Sequence, residues 1–78
     1  MRTLWTLESG IKTTNEEVKN FFKHNKLFFI YEEEGKLTFK SFNTGDVLKT
    51  SKIKNKTFKK NGYACVETQH TKYHLMKA

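Results

Sequence analysis

"KLFFIYEEEGKLTFKSF", residues 26–42, decides the fold, because here a helical spacing of apolar residues gives way to a period of two. It predicts two strands, about 26–32 and 36–42, joined by a tight turn at Glu34-Gly35, where glycine supplies the positive φ. In the first strand both faces are apolar, with Leu27, Phe29 and Tyr31 on one and Phe28 and Ile30 on the other, so it belongs in the middle of a sheet. In the second, Leu37 and Phe39 face one way and Lys36, Thr38 and Lys40 the other, so it covers a core on one side only.

Upstream, "TTNEEVKNFFKHN" at 13–25 places Val18, Phe21 and Phe22 at i, i+3 and i+4, the apolar stripe of a short amphipathic helix over about 15–24 that ends at Asn25. Thr14 with Glu17, or Thr13 with Glu16, offers capping-box spacing. Before the helix, "RTLWTLE" at 2–8 suits a half-buried strand, and Ser9-Gly10 a bend. Downstream, Asn43-Thr44-Gly45-Asp46 turns the chain into a long extended segment from Val47 to about Phe58. Lys59-Lys60-Asn61-Gly62 is the next turn, and "YACVET" and "KYHLM" form a closing hairpin around Gln69-His70-Thr71. The order β-α-β-β-β-β-β defines a single α+β domain over 1–78, one short helix packed on a bent antiparallel sheet or small open barrel.

A 78-residue chain buries about 60% of the surface its unfolded form exposes, so its core is thin. Cys65 is the lone cysteine and cannot close an intrachain disulfide, and the N-terminus has no signal-peptide pattern; both fit a reducing, cytoplasmic setting. The apolar run "LFFIY" is far short of the roughly 20 residues that span a bilayer, so no membrane partner is expected. A thin core together with a free sheet edge predicts a symmetric homodimer.

The net charge of +7 is unevenly placed: residues 1–35 carry five basic and six acidic side chains, and residues 36–78 carry ten basic and two acidic. Such an excess either decorates a solvated face or attracts a polyanion. Its densest stretch, "KTSKIKNKTFKK" at 49–60, holds six lysines and no acidic residue. Read as a strand, it sets Lys52, Lys54 and Lys56 on one face and Ile53 on the other. Alternate strand residues lie about 6.5–7 Å apart, near the spacing of successive phosphates in an extended single strand. Lys49 precedes this row, Lys59 and Lys60 cap it, and Lys36 and Lys40 widen it. Lysines act on phosphate as point charges, so the patch would bind with little choice of sequence. Phe42, Phe58, Tyr63 and Tyr73 are interleaved with the basic half; packing explains Phe42, Phe58 and Tyr73 best, whereas Tyr63 is the candidate for base stacking.

"NGYACVET" partly resembles the RNP1 motif of RNA recognition motifs at Gly62, Tyr63, Ala64 and Val66. Asn61 replaces the basic residue, Cys65 and Thr68 replace aromatics, and too few residues follow for that fold, so the stretch reads as a strand leaving an Asn-Gly turn. Catalysis is not expected, since no nucleophile is set beside a base. His70 and His74 on a strand lie about 13 Å apart and cannot share an ion, so neither metal nor cofactor is expected. "EEE" at 32–34 reads as a solvated hairpin tip, with recognition of a basic partner as the alternative.

Thr50, Ser51 and Ile53, then Val66, Thr68, Thr71, Tyr73 and Leu75, form a pattern, T-S-x-I and V-x-T-x-x-T-x-Y-x-L, that resembles the closing hairpin of small early proteins of T-even-type tailed bacteriophages. The match covers about a third of the chain. The resemblance implies an accessory protein of the host cytoplasm that disarms a host defence or acts as an antitoxin-like inhibitor of a toxin or nuclease. Together with the charge, it predicts a small protein that binds RNA or single-stranded nucleic acid through the Lys49–Lys60 strand. The alternatives are an inhibitor that meets an acidic host protein without nucleic acid, and sequestration of a nucleotide signal in a pocket.

Overall fold

The computed structural model describes residues 3–8, 11 and 13–78. Arg2 of the expected first strand and the Ser9-Gly10 bend lie outside the described residues. Six strands and one helix follow in the expected order: β1 (Trp5–Leu7), α1 (Glu16–His24), β2 (Phe28–Glu33), β3 (Lys36–Ser41), β4 (Val47–Phe58), β5 (Tyr63–Thr68) and β6 (Lys72–Lys77). Each strand pairs antiparallel with the next, in one mostly-sheet domain. Among the described residues no helix is long and apolar enough to cross a membrane.

The β2–β3 hairpin has the expected register, Glu33 opposite Lys36, with a two-residue turn in which Glu34 (φ 54°) and Gly35 (φ 74°) both take positive φ. Two positive-φ residues match the twist of the flanking strands. The helix cap differs from expectation. Asn15, not Thr13 or Thr14, caps it: its Oδ1 accepts from the N–H groups of Glu17 (2.9 Å) and Val18 (3.3 Å). The Thr13 hydroxyl is used elsewhere, accepting from the Asn15 N–H at 3.1 Å and lying 3.4 Å from the Thr71 hydroxyl. Glu16 and Glu17 in the first turn and Lys23 and His24 in the last complement the helix dipole.

The sheet corrects the expectation of an open edge. β6 returns to pair with β1 through Trp5–Lys77, Thr6–Met76 and Leu7–Leu75, so the six strands close in a ring. Strand twist carries the first and last strands toward each other, and two register irregularities in β4, one against β3 between Lys49 and Lys52 and one against β5 between Ile53 and Asn55, bend the longest strand around the turn. The edge on which a symmetric edge-to-edge dimer would rest is thereby taken up. What remains is the overhang Asn55–Phe58, which among the described residues pairs only with β5 and is flanked by lysines that discourage edge pairing.

Val18, Phe21 and Phe22 are buried and face the sheet as their spacing predicts. The Phe22 ring meets Phe39 at 5.0 Å, Phe28 at 5.4 Å and Tyr73 at 6.0 Å, all three essentially inaccessible to solvent. These aromatics fill the helix-covered end of the ring with edge-to-face and tilted contacts. The Thr38 hydroxyl is buried without a hydrogen-bond partner among the described residues; nothing in the packing explains it.

Phe22→Ala should cost about 3–5 kcal/mol, since it leaves a cavity among four other rings, and chemical denaturation should find the variant largely unfolded. A second expectation concerns alkaline pH. Burial raises the Tyr73 phenol above its ordinary range, partly offset by hydrogen bonds with Thr71 and Thr68. A raised folded-state value favours the neutral phenol, so this contribution is complete below the unfolded tyrosine value and is lost as pH rises through the folded one. Urea titrations across that window should show stability falling, and Tyr73→Phe should flatten the fall.

Candidate functional site

Cross-strand register fixes which side chains point into the ring. Lys56 stands opposite Val66 and Phe58 opposite Ala64, and both partners are core residues, so Lys56 and Phe58 face inward. Glu32 stands opposite Leu37, and Lys77 opposite Trp5, by the same rule. These residues gather at the end of the ring away from the helix. Among the described residues β1 and β2 share a single residue pair, Trp5–Phe28, while the β4 overhang runs past the tip of the β2–β3 hairpin. The seam opens into a cleft of about 880 Å³.

The cleft has an apolar floor and a cationic rim. Trp5, Ile30, Leu37, Ile53 and Val66 form the floor and Phe58 adds an inward ring, while Phe29 and Tyr31, which by register share the outer face with Lys40 and Thr38, line the rim. Phe58 is 57% exposed and sets its ring edge-on to Trp5 at 6.1 Å. Lys40, Lys56, Lys59 and Lys77 also line the cleft, and Glu32 is the one carboxylate there among the described residues. The Lys56 Nζ donates to Glu32 Oε1 at 2.8 Å, spanning two strands that share no hydrogen-bonded ladder. Both side chains are about half exposed, so this pair contributes about 0.2–1 kcal/mol and yields readily to a competing anion. Concave, mostly apolar lining with a few charged groups is the usual form of a ligand site, and the volume falls in the small-molecule range.

The expected row of lysines is broken. A register irregularity between Ile53 and Asn55 puts Lys54 in a bulge, so parity is lost: Lys52 stands opposite Lys36, on the face opposite to Leu37, while Lys56 turns inward. Lys52 and Lys54 are exposed, Lys36 is partly buried, and Lys49 lies 3.7 Å from Glu33. Lys60 is exposed in the turn before β5. Of the residues singled out in the sequence, the cleft collects Lys40, Lys56 and Lys59.

Tyr63 lies outside the cleft. It faces outward from β5, where its hydroxyl hydrogen-bonds His74 Nδ1, and Lys59 Nζ sits 5.6 Å from its ring centroid. Its phenol is held above the ordinary tyrosine range, first by desolvation and then by Cys65 and Glu8. His70 is exposed in the β5–β6 turn, and no group of three or more His, Cys, Asp or Glu among the described residues is placed to hold a metal ion. Phe42 and Phe58, expected in the core, are both more than half exposed; Tyr73 is in the core as expected.

Sequence reasoning missed Trp5, Glu32 and Lys77. Each carried only a local signal: a strand residue, a hairpin tip and a terminal lysine. Their meeting depends on closure of the ring. No protein-family model matches the chain, and no curated protein and no solved structure matches it.

Proposed function

We propose that the protein binds single-stranded nucleic acid, RNA foremost, in the cleft between β1, β2 and the β4 overhang. The observation that carries this reading is the combination in one cleft of exposed aromatic surface with four lysines. Bases of any identity stack on aromatic rings while ammonium groups follow the phosphates, and the two together are the means of single-strand binding. Phe58 supplies an accessible ring, and Lys40, Lys56, Lys59 and Lys77 supply the charge. Lys52, Lys54 and Lys60 lie outside the cleft lining and extend the positive field that steers the strand toward it. The reading requires no cofactor and no catalytic step. With the resemblance at Thr50–Ile53 and Val66–Leu75, it makes the chain a phage accessory protein acting in the host cytoplasm against a defence or toxin–antitoxin system.

A protein partner is the second reading, and a specific observation favours it. Phe42 and Val47 are about half exposed, and Phe42 meets the cleft-lining Phe29 at 6.2 Å, an apolar patch that continues from the cleft rim. A nucleotide signal in the cleft is a third.

Titration of a labelled single-stranded RNA at several salt concentrations separates these readings. Lys56, Lys59 and Lys77 replaced together by glutamine should weaken binding and reduce the slope of log affinity against log salt by about 2, at about 0.7 per phosphate contact. Phe58→Ala should weaken binding with the slope nearly intact, because stacking releases few counterions. Affinity that rises with oligonucleotide length supports the strand reading, and saturation with a mononucleotide supports the signal reading. Absence of binding at low salt would favour the protein partner.

A further inference from the structure

Glu32 is out of place in a cleft for phosphates. A carboxylate among four lysines repels the backbone, weakens the field of Lys56 and gives little stability at half exposure. Its register is nevertheless clear: it stands opposite Leu37 on the interior side, and Lys56 donates to its Oε1 at 2.8 Å. The Lys56 contact is made through Oε1, and a carboxylate oxygen can accept more than one hydrogen bond, so both oxygens can still accept from a ligand. Lys56 has three N–H donors, so it can keep Glu32 in place with one and meet a phosphate with another.

Carboxylates accept hydrogen bonds and donate none, which makes Glu32 selective among bases. Guanine alone presents two adjacent donors, N1–H and the N2 amino group, matching the two oxygens of a carboxylate. Adenine and cytosine each set a ring-nitrogen acceptor beside their amino group, and uracil flanks its N3–H with two carbonyls, so each of them turns a lone pair toward the carboxylate. The hydroxyl groups lining the cleft, on Thr3 and Tyr31, both donate and accept and so discriminate little. The rings of Trp5 and Phe58 lie along the same cleft, with Phe58 open to a base face.

We propose that the cleft selects guanine, with the Glu32 carboxylate accepting from its Watson–Crick edge while Lys56 holds Glu32 in place and meets the adjoining phosphate. This inference rests on the single-strand reading of the cleft and adds a base preference to it.

The test is fluorescence anisotropy with labelled oligouridine carrying one central guanosine, adenosine, cytidine or inosine. The guanosine strand should bind about tenfold more tightly than the adenosine, cytidine or all-uridine strands, as expected for one bidentate base contact. Inosine, which lacks the N2 amino group, should lose most of that gain. Glu32→Gln presents one acceptor and one donor, so it should abolish the guanine preference while tightening binding of the adenosine, cytidine and all-uridine strands, since Lys56 is then free for phosphate. Equal affinity for all strands, or a preference that survives in Glu32→Gln, would overturn the guanine assignment and leave the single-strand reading standing. No binding of any strand at low salt would overturn both. The inosine comparison needs no protein variant and decides the matter even if the substitution perturbs folding.

Discussion

Three residues of β1 hold the ring together, and their small number shapes the rest of the molecule. Trp5, Thr6 and Leu7 each pair with β6, but among the described residues only Trp5 has a partner in β2. One side of the strand is therefore a short ladder and the other a single contact. The ladder closes the sheet and lets one core form from both ends of the chain. The single contact leaves β1 and β2 diverging beyond Trp5, and the cleft lies along that divergence. The same strand thus makes the core and interrupts it, and Trp5, buried in the core cluster and lining the cleft, belongs to both.

The two ends of the ring differ in how they meet water. At one end, Phe21 and Phe22 of the helix cover Phe28, Phe39 and Tyr73, and apolar surface is excluded from solvent. At the other, the overhang of β4 carries Lys56 and Phe58 inward past the tip of the β2–β3 hairpin, and nothing in the described chain covers them. An inward lysine tolerates this because its ammonium group reaches solvent while its stem lies along apolar neighbours. The Glu32 carboxylate meets it there at modest energetic gain, so the pair is a pliable feature of a rigid sheet rather than a support of the fold.

The local elements were legible because each is set by spacing within a few residues. The i, i+3, i+4 stripe of Val18, Phe21 and Phe22 placed the helix, and the period-two run around Glu34-Gly35 placed the first hairpin. Asn15 escaped because three consecutive residues could each cap, and Thr13 is instead engaged with Asn15 and with Thr71, a residue far away in the chain. Closure of the ring was not legible, since pairing of β1 with β6 depends on accumulated twist. The lysine row failed for a related reason. A regular strand keeps Lys52, Lys54 and Lys56 in phase, but one extra residue between Ile53 and Asn55 reverses the parity, and the sequence there contains no glycine or proline to mark the bulge. Three of the nine nominated site residues nevertheless line the cleft, because lysines are dense enough in that half of the chain to reach both faces.

The central claim is that nucleic acid enters the cleft rather than lying on the outer face of β4, and residue-resolved NMR tests it most directly. An isotope-labelled sample titrated with a short single-stranded RNA should show shifts concentrated at the Trp5 indole and at Glu32, Ile53, Lys56, Phe58 and Lys77. Lys36, Lys52 and the Tyr63–His74 pair should move little. Shifts confined to those outer residues, with the Trp5 and Phe58 signals unmoved, would contradict the account.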